Sequence, residues 1–285
     1  MTIAVIGATG QQGSAVVNAL LALDAPVRAA VRDPGAKPAS DLAKRGIDVV
    51  AADLDDPASL RAAFEGASAA FAMTTYSGPE GTDGEIAHGR ALADAVEAAA
   101  LPHLVYSSVG GAERNTGIPH FESKRRIEEF LLDTGTRVAF LRPTFFMDNL
   151  IRMIDVEAKP ARIALPLPDG VPLQMISVRD IGKAAAALLL NRDDAPQSLE
   201  IAGDEITGSQ IADIVAAQLG VPARYVEAPL DVLGDDEDRK SMFRWFTDLP
   251  AYRADFADTR RWVPDAEDLA AWMRRSVATP ASIWE

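Results

Sequence analysis

The sequence predicts an α/β fold built on a doubly wound parallel sheet, and three observations carry that prediction. Short apolar, β-rich runs alternate with alanine-rich runs of helical length through the first half of the chain. A glycine-spaced turn joins the first apolar run to the first helical stretch. After Arg142 the rhythm changes and proline-rich stretches begin. Strands that read as continuous apolar runs are buried on both faces, and helix-length crossovers supply the covering layers. Right-handed crossovers then wind the sheet in both directions from its middle.

The expected strands are "IAVI" (3–6), "VRAAV" (27–31), "DVVAA" (48–52), "AAFAM" (69–73), "HLVYSS" (103–108) and "RVAFLR" (137–142). Helical stretches fall between them at 14–23, 40–44, 57–64, 84–99 and 121–132. Asp56 before Pro57 reads as a helix cap followed by proline at the first helical position. Further along, "PTFFMDNLIRMI" (143–154) is a short helix or a loop, and "KPARIALPLPDGVPLQMIS" (159–177) is irregular. A helix returns at 178–191 and a strand at 198–203. "TGSQIADIVAAQLG" (207–220) is a capped amphipathic helix ending at Gly220, "DDEDRK" (235–240) is a solvated helix face, and a last helix spans 266–276. The expected organisation is a dinucleotide-binding domain over 1–150, to which 175–202 returns. Residues 151–174 and 203–285 make a smaller C-terminal lobe.

Composition narrows the partners. Hydrophobic residues at 48% and charged residues at 25% describe an ordinary soluble globular chain. A net charge of −14 repels phosphate backbones and anionic lipid, so direct nucleic-acid or membrane binding is not expected. No cysteine is present, which excludes disulfides, thiolate metal sites and a cysteine nucleophile. The start "MTIAVIG" lacks a basic leader, and "AAAALLL" (184–190) is too short to span a bilayer, so a cytoplasmic location is expected. His88 and His103 have no neighbours at ligand spacing, and no metal site is expected.

"GATGQQG" (7–13) follows the first strand and opens a helix. Gly7 permits the tight turn, Gly10 lets backbone approach a pyrophosphate, and Gly13 lets helix pack on strand. Ala8, Thr9, Gln11 and Gln12 complete this Rossmann-like cradle, whose free amides carry a partial positive charge. The second strand ends in "RDPGAK" (32–37), where NAD-specific sites usually carry an acid for the ribose. Arg32, with Lys37 near it, suits a 2′-phosphate, so NADP(H) is favoured over NAD(H). Arg32 paired with Asp33 at the surface, or Asp33 on a ribose, are the alternatives. Asp53 and Leu54 of "ADLDD" suit an adenine edge and face, unless Asp53 or Asp56 simply caps the next helix. Thr74, Thr75 and Tyr76 follow the fourth strand, placed to line the crevice at the strands' carboxyl ends.

"HFESK" (120–124) holds His120 and Lys124 on one helix face, where short-chain dehydrogenases of this architecture carry tyrosine and lysine. A histidine titrates near neutrality and can serve as an acid, although an ammonium one turn away disfavours the imidazolium. His120 is otherwise a polar loop-end residue. Lys124 is a ribose or carboxamide ligand, or one member of a basic run, "KRR", on a solvated face. "YSS" (106–108) ends the fifth strand where such dehydrogenases place a substrate-positioning serine. "RPTFFMDNL" (142–150) sets Thr144, Phe145 and Phe146 beside the sixth strand, as stacking partners or as core aromatics between lobes.

Together, "GATGQQG", "VRDP", "HFESK" and "RPTFFMDNL", with "MISVRDIGKAAAALLL" and "MFRWF" later, closely resemble the NmrA-like branch of atypical short-chain dehydrogenases. The resemblance implies a cleft between a dinucleotide domain and a smaller lobe. It also implies NADP(H) contacts from 7–12, Arg32, Asp53, Leu54, Thr74, Thr75, Tyr76, Lys124, Thr144, Phe145 and Phe146. Some members look like redox sensors that act on a protein partner, among them a transcription regulator. Others are similar to NAD(P)H-dependent quinone or dye reductases. The isoflavone-reductase relatives use a lysine at the place of Lys124. The missing tyrosine argues against alcohol dehydrogenation more than against hydride transfer to an acceptor that is already electrophilic. The two expectations are therefore a reductase of a quinone or similar flat carbonyl compound, and a non-catalytic NADPH sensor.

Overall fold

The computed structural model describes residues 2–278. The first half alternates strictly: β1 (Thr2–Ile6), α1 (Gln11–Leu21), β2 (Val27–Val31), α2 (Lys37–Lys44), β3 (Asp48–Ala51), α3 (Pro57–Phe64), β4 (Ala67–Met73), α4 (Gly81–Ala98), β5 (His103–Ser107), α5 (Pro119–Leu132) and β6 (Arg137–Pro143). There follow β7 (Phe145–Phe146), a 3₁₀ turn (Met147–Arg152), β8 (Ile154–Asp155), β9 (Ala161–Leu165), β10 (Leu173–Ile176), α6 (Val178–Leu190) and β11 (Ser198–Ile201). The chain closes with β12 (Asp204–Ile206), α7 (Gly208–Leu219), β13 (Ala223–Glu227), α8 (Glu237–Phe246), α9 (Phe256–Trp262) and α10 (Leu269–Ala278).

Seven parallel strands make the central sheet in the order β11-β6-β5-β4-β1-β2-β3. The apolar runs explain the choice: every residue of β5 is buried, as are four of the five in β1. A strand with no wet face needs a helix layer on each side. Helices α1, α2 and α6 cover one face through Val16, Leu20, Leu42 and Ile181. Helices α3, α4 and α5 cover the other through Phe64, Leu92, Val96 and Ile127. The order reverses between β1 and β4, so a crevice opens at their carboxyl ends.

The later elements build two three-stranded sheets, β12-β10-β7 and β13-β9-β8. Their side chains form a separate hydrophobic cluster with α7, α8 and α10, around Phe145, Leu173, Phe246 and Trp272. The stretch expected to be irregular at 159–177 therefore contains two strands. Ala161, Ile163 and Leu165 of β9 alternate inward while β9 pairs in parallel with β13. Pro160, Pro166 and Pro168 crowd that period-two signal and hide it in the sequence. Residues 143–154 are neither a plain loop nor an α-helix, but β7 followed by the 3₁₀ turn and the start of β8. Helix 207–220 forms as expected, with a capping box between Thr207 and Gln210 and left-handed Gly220 at its end. Among the described residues no helix is long and apolar enough to cross a membrane.

Helices α1 and α6 pack unusually closely. A Cβ on Gly182 would lie 2.5 Å from the Ala15 carbonyl carbon. Gly182→Val is therefore expected to cost about 1–3 kcal/mol, read as a lower urea midpoint at unchanged slope.

Candidate functional site

The glycine turn is built by contacts that other residues would prevent. Gly7 has φ 67°, and the Gly7 and Ala8 amides donate to the Ala30 carbonyl at 3.0 and 3.3 Å, which ties the turn to β2. A Cβ on Gly13 would lie 2.1 Å from the Gly7 carbonyl oxygen, so α1 can begin this close to β1 only with glycine there. Gly10 caps α1 without a side chain, and the first turn holds no acid. Thr9, Gly10 and Gln11 are exposed around that end, whereas Ala8 is buried beneath it. Gln12 turns inward and its Oε1 accepts the Ser107 hydroxyl at 2.6 Å, fastening α1 to the end of β5. The helix starts three residues earlier than the sequence expectation, which places Gln11 and Gln12 within its first turn.

At the end of β2, Arg32 is exposed and makes no hydrogen bond or ion pair among the described residues. Asp33 does not pair with it; its Oδ1 accepts the Gly35 amide at 2.8 Å. Lys37 is engaged by Asp41 at 3.0 Å. After β3, Asp56 caps α3 by accepting from the Ala58 and Ser59 amides. Asp53 instead accepts the Asp55 amide at 3.2 Å, and Leu54 packs half-buried against the α3–α5 core.

Beneath the crevice lies a buried polar network around Lys124. Its Nζ donates to the Thr74 carbonyl at 2.8 Å and the Thr74 hydroxyl at 3.1 Å, and meets Glu85 Oε1 at 3.0 Å. The Tyr106 hydroxyl at 3.4 Å and the Ser107 carbonyl at 3.5 Å complete the shell. The Thr74 hydroxyl in turn donates to Glu85 at 3.0 Å, and Ser123 donates to the other Glu85 oxygen. Burial alone would push the Lys124 ammonium toward neutrality, but Tyr106 and Glu85 outweigh it and hold its pKa above the lysine value of 10.5. Lys124 is therefore not part of a solvated basic run, although Arg125 and Arg126 are, paired with Glu122 and Glu129. Beside this network the Ser108 hydroxyl is buried and has no hydrogen-bond partner among the described residues.

His120 is not a loop-end residue. It is the second residue of α5, after Pro119, and it is buried. Its Nδ1 meets Asp238 of α8, and its backbone amide donates to the other Asp238 oxygen at 2.9 Å. Tyr76 stacks on the imidazole with centroids 4.7 Å apart and planes 24° apart. Thr75 sits at the surface, its hydroxyl on Ser77. The Thr144 hydroxyl is buried and donates to the Ile201 carbonyl at 3.0 Å. The two phenylalanines separate, because β7 sends neighbours to opposite sides. Phe145 is buried edge-on to Phe246 among the later elements, and half-buried Phe146 packs against the α1–α6 core.

The sequence reading missed two carboxylates. Glu85 sits on α4, 39 positions from Lys124 by number, with no local pattern to expose it. Asp238 lay within a charge run taken as a solvated face, yet only 16% of its side chain is accessible. A groove of about 640 Å³ also runs between α1, α6 and α9, past Ala15, Lys183 and Trp262, but Lys183 there pairs with Asp180 and Asp265.

The NmrA-like family model matches residues 1–264. The chain belongs to the NmrA-like family. An NAD(P)H azoreductase from Xenophilus azovorans is 29% identical over 230 residues, covering 80% of this chain and 78% of that protein. Several fungal NmrA-like oxidoreductases also match, and there the chain spans about half the length of each relative. In fold, this NmrA-like chain is similar to an NADPH-dependent quinone oxidoreductase from Escherichia coli solved with NADPH. The TM-score is 0.79 at 22% identity, covering 96% of this chain and 99% of that one. It is likewise similar to the negative transcriptional regulator NmrA solved with NAD, with a TM-score of 0.80 at 20% identity over 96% and 94% of the two chains.

The Lys124–Glu85 pair generates a stability prediction. Glu85→Gln should cost about 3 kcal/mol, because it leaves a buried ammonium without its counter-charge. The double variant Glu85→Gln/Lys124→Met should recover much of that loss, checked by urea denaturation of all three proteins. The folded-state lysine value is raised, so the contribution is fully present below pH 10.5 and is lost only as pH climbs through the higher folded-state value.

Proposed function

We propose that the chain is an NAD(P)H-dependent reductase of a flat electrophilic acceptor, a quinone or similar carbonyl compound, with NADP(H) preferred over NAD(H). The observation that carries this reading is the start of α1 at the 7–13 turn, which has neither a side-chain cap nor an acid, beside exposed Arg32 at the end of the adjoining strand β2, which pairs with no other described residue. A cradle with an uncapped helix end and the unpaired Arg32 fit the pyrophosphate and the 2′-phosphate of the same ligand. When bound, a reduced nicotinamide supplies a hydride to the acceptor.

The chain's own residues then position and exclude. The Gln11, Gln12 and Gly13 amides in the first turn of α1, together with Arg32, hold the phosphates, and Asp53 and Leu54 take the adenine end. Lys124 has acceptors for all three of its donors within 3.1 Å, so it acts first as the anchor that fixes the backbone of Thr74 at the crevice floor. Tyr76 and Phe146, both half-buried, offer the flat surfaces against which a planar ring can lie. The azoreductase relative, similar along 80% of this chain, supports redox chemistry rather than sensing alone.

Two experiments test this. Purified protein should oxidise NADPH with at least one member of a panel of benzoquinones, naphthoquinones and azo dyes; NADPH binding without any turnover would refute the reductase reading. Arg32→Ala should weaken NADPH by about 1.5–3 kcal/mol, roughly 10–150-fold in Kd, and leave NADH nearly unchanged. Calorimetric titration with both coenzymes measures this, and equal losses would remove Arg32 from its role.

A further inference from the structure

The imidazole of His120 is held on three sides. Tyr76 stacks on one face, and Phe121 meets it edge-on at 4.7 Å. One Asp238 oxygen takes Nδ1 while the other accepts the His120 amide at 2.9 Å. α5 has no side-chain cap of its own, so Asp238 serves it as a cap contributed from α8, a helix more than a hundred positions away. Nε2, the remaining ring nitrogen, makes no hydrogen bond among the described residues and is not among the sealed, unpartnered atoms.

The charges around the ring suit a proton carrier. From α8 it faces Asp238 and Asp236, the latter bound to Arg239. From the segment after β4 it faces neutral Tyr76, whose hydroxyl burial pushes up. One turn along α5, the Lys124 ammonium is matched by Glu85 at 3.0 Å. The repulsion that Lys124 would exert on a charged imidazole is thus already balanced, and with Nδ1 taken by the carboxylate, Nε2 is the ring nitrogen left to hand on a proton.

We propose that Asp238 and His120 form a proton-delivery dyad for acceptors whose reduced form is too basic to persist as an anion, azo compounds first among them. His120 is the catalytic acid, and Asp238 is its positioning residue. The proposal rests on the reductase reading above. Hydride addition to one nitrogen of an azo bond pushes the π electron pair onto the other nitrogen. That nitrogen takes the proton from His120 Nε2, giving a hydrazine and NAD(P)⁺. The neutral ring keeps its Nδ1 proton on Asp238 and is recharged from solvent. A quinone needs no such help, because hydride transfer leaves a hydroquinone monoanion whose charge spreads over an aromatic ring. The dyad therefore widens the acceptor range without being required for quinones.

The test compares two acceptors in one enzyme. In Asp238→Asn, kcat for methyl red should fall about 100-fold more than kcat for 1,4-benzoquinone, the scale of general acid catalysis. Asp238→Glu should restore part of the methyl red rate. His120→Gln should match Asp238→Asn, and the double variant should lose nothing more. With three histidines in the chain, ¹⁵N-histidine spectra of the unliganded protein report His120 directly, and its ring signals should change in Asp238→Asn. If Asp238→Asn fails to fold, His120→Gln carries the same comparison. Equal losses with both acceptors, no loss with either, or a wild-type protein that reduces only quinones would overturn the dyad and leave the reductase reading intact. A wild-type protein that binds NADPH and reduces neither acceptor would overturn both.

Discussion

The buried pair of Lys124 and Glu85 is the interaction on which the site's architecture rests. It joins α5 to α4, and through Thr74 and Ser107 it also fixes the ends of β4 and β5. Two charges taken out of water are tolerable only when their remaining donors and acceptors are satisfied. Here Thr74, Tyr106 and Ser123 complete that requirement, and they reach the pair from three different elements. The strand ends at the crevice are therefore held by polar geometry as well as by the apolar core beneath them.

A second set of polar contacts ties the later elements to this frame. Arg114, after β5, meets Glu200 on β11 and the Ala251 carbonyl, and Glu200 also accepts the Arg253 amide at 2.7 Å. Burial pushes the Glu200 carboxyl up, while the Arg253 amide and Arg114 draw it down without cancelling that rise. Gln174 and Ala254 exchange hydrogen bonds at 3.2 and 2.9 Å. Asp238 on His120 belongs to the same set. The C-terminal elements thus grip the central body through charged and amide groups as well as through apolar contacts such as Phe121 against Trp245.

The glycine cradle, the apolar strands and the capped helix at 207–220 were legible because each is written in consecutive residues. Gly7 and Gly13 declare a turn and a close helix approach by their own lack of a side chain. Arg32 stood out as a cation at a strand end in an acidic chain, and it pairs with no other described residue. The small sheets were not legible, because prolines around β9 interrupt its alternation and its partner β13 lies about sixty positions away.

The sequence by itself determined the alternating α/β order, the parallel sheet and the position of the phosphate-cradle turn. Those follow from local periodicity and from glycine's backbone freedom, which need no distant partner. Only the tertiary structure decided which charges meet. It put Glu85 under Lys124, Asp238 on His120, and Phe145 and Phe146 on opposite sides of one strand. A carboxylate in a run of polar residues looks the same whether it ends in water or against an imidazole, because burial is a property of the packing and not of the neighbouring letters.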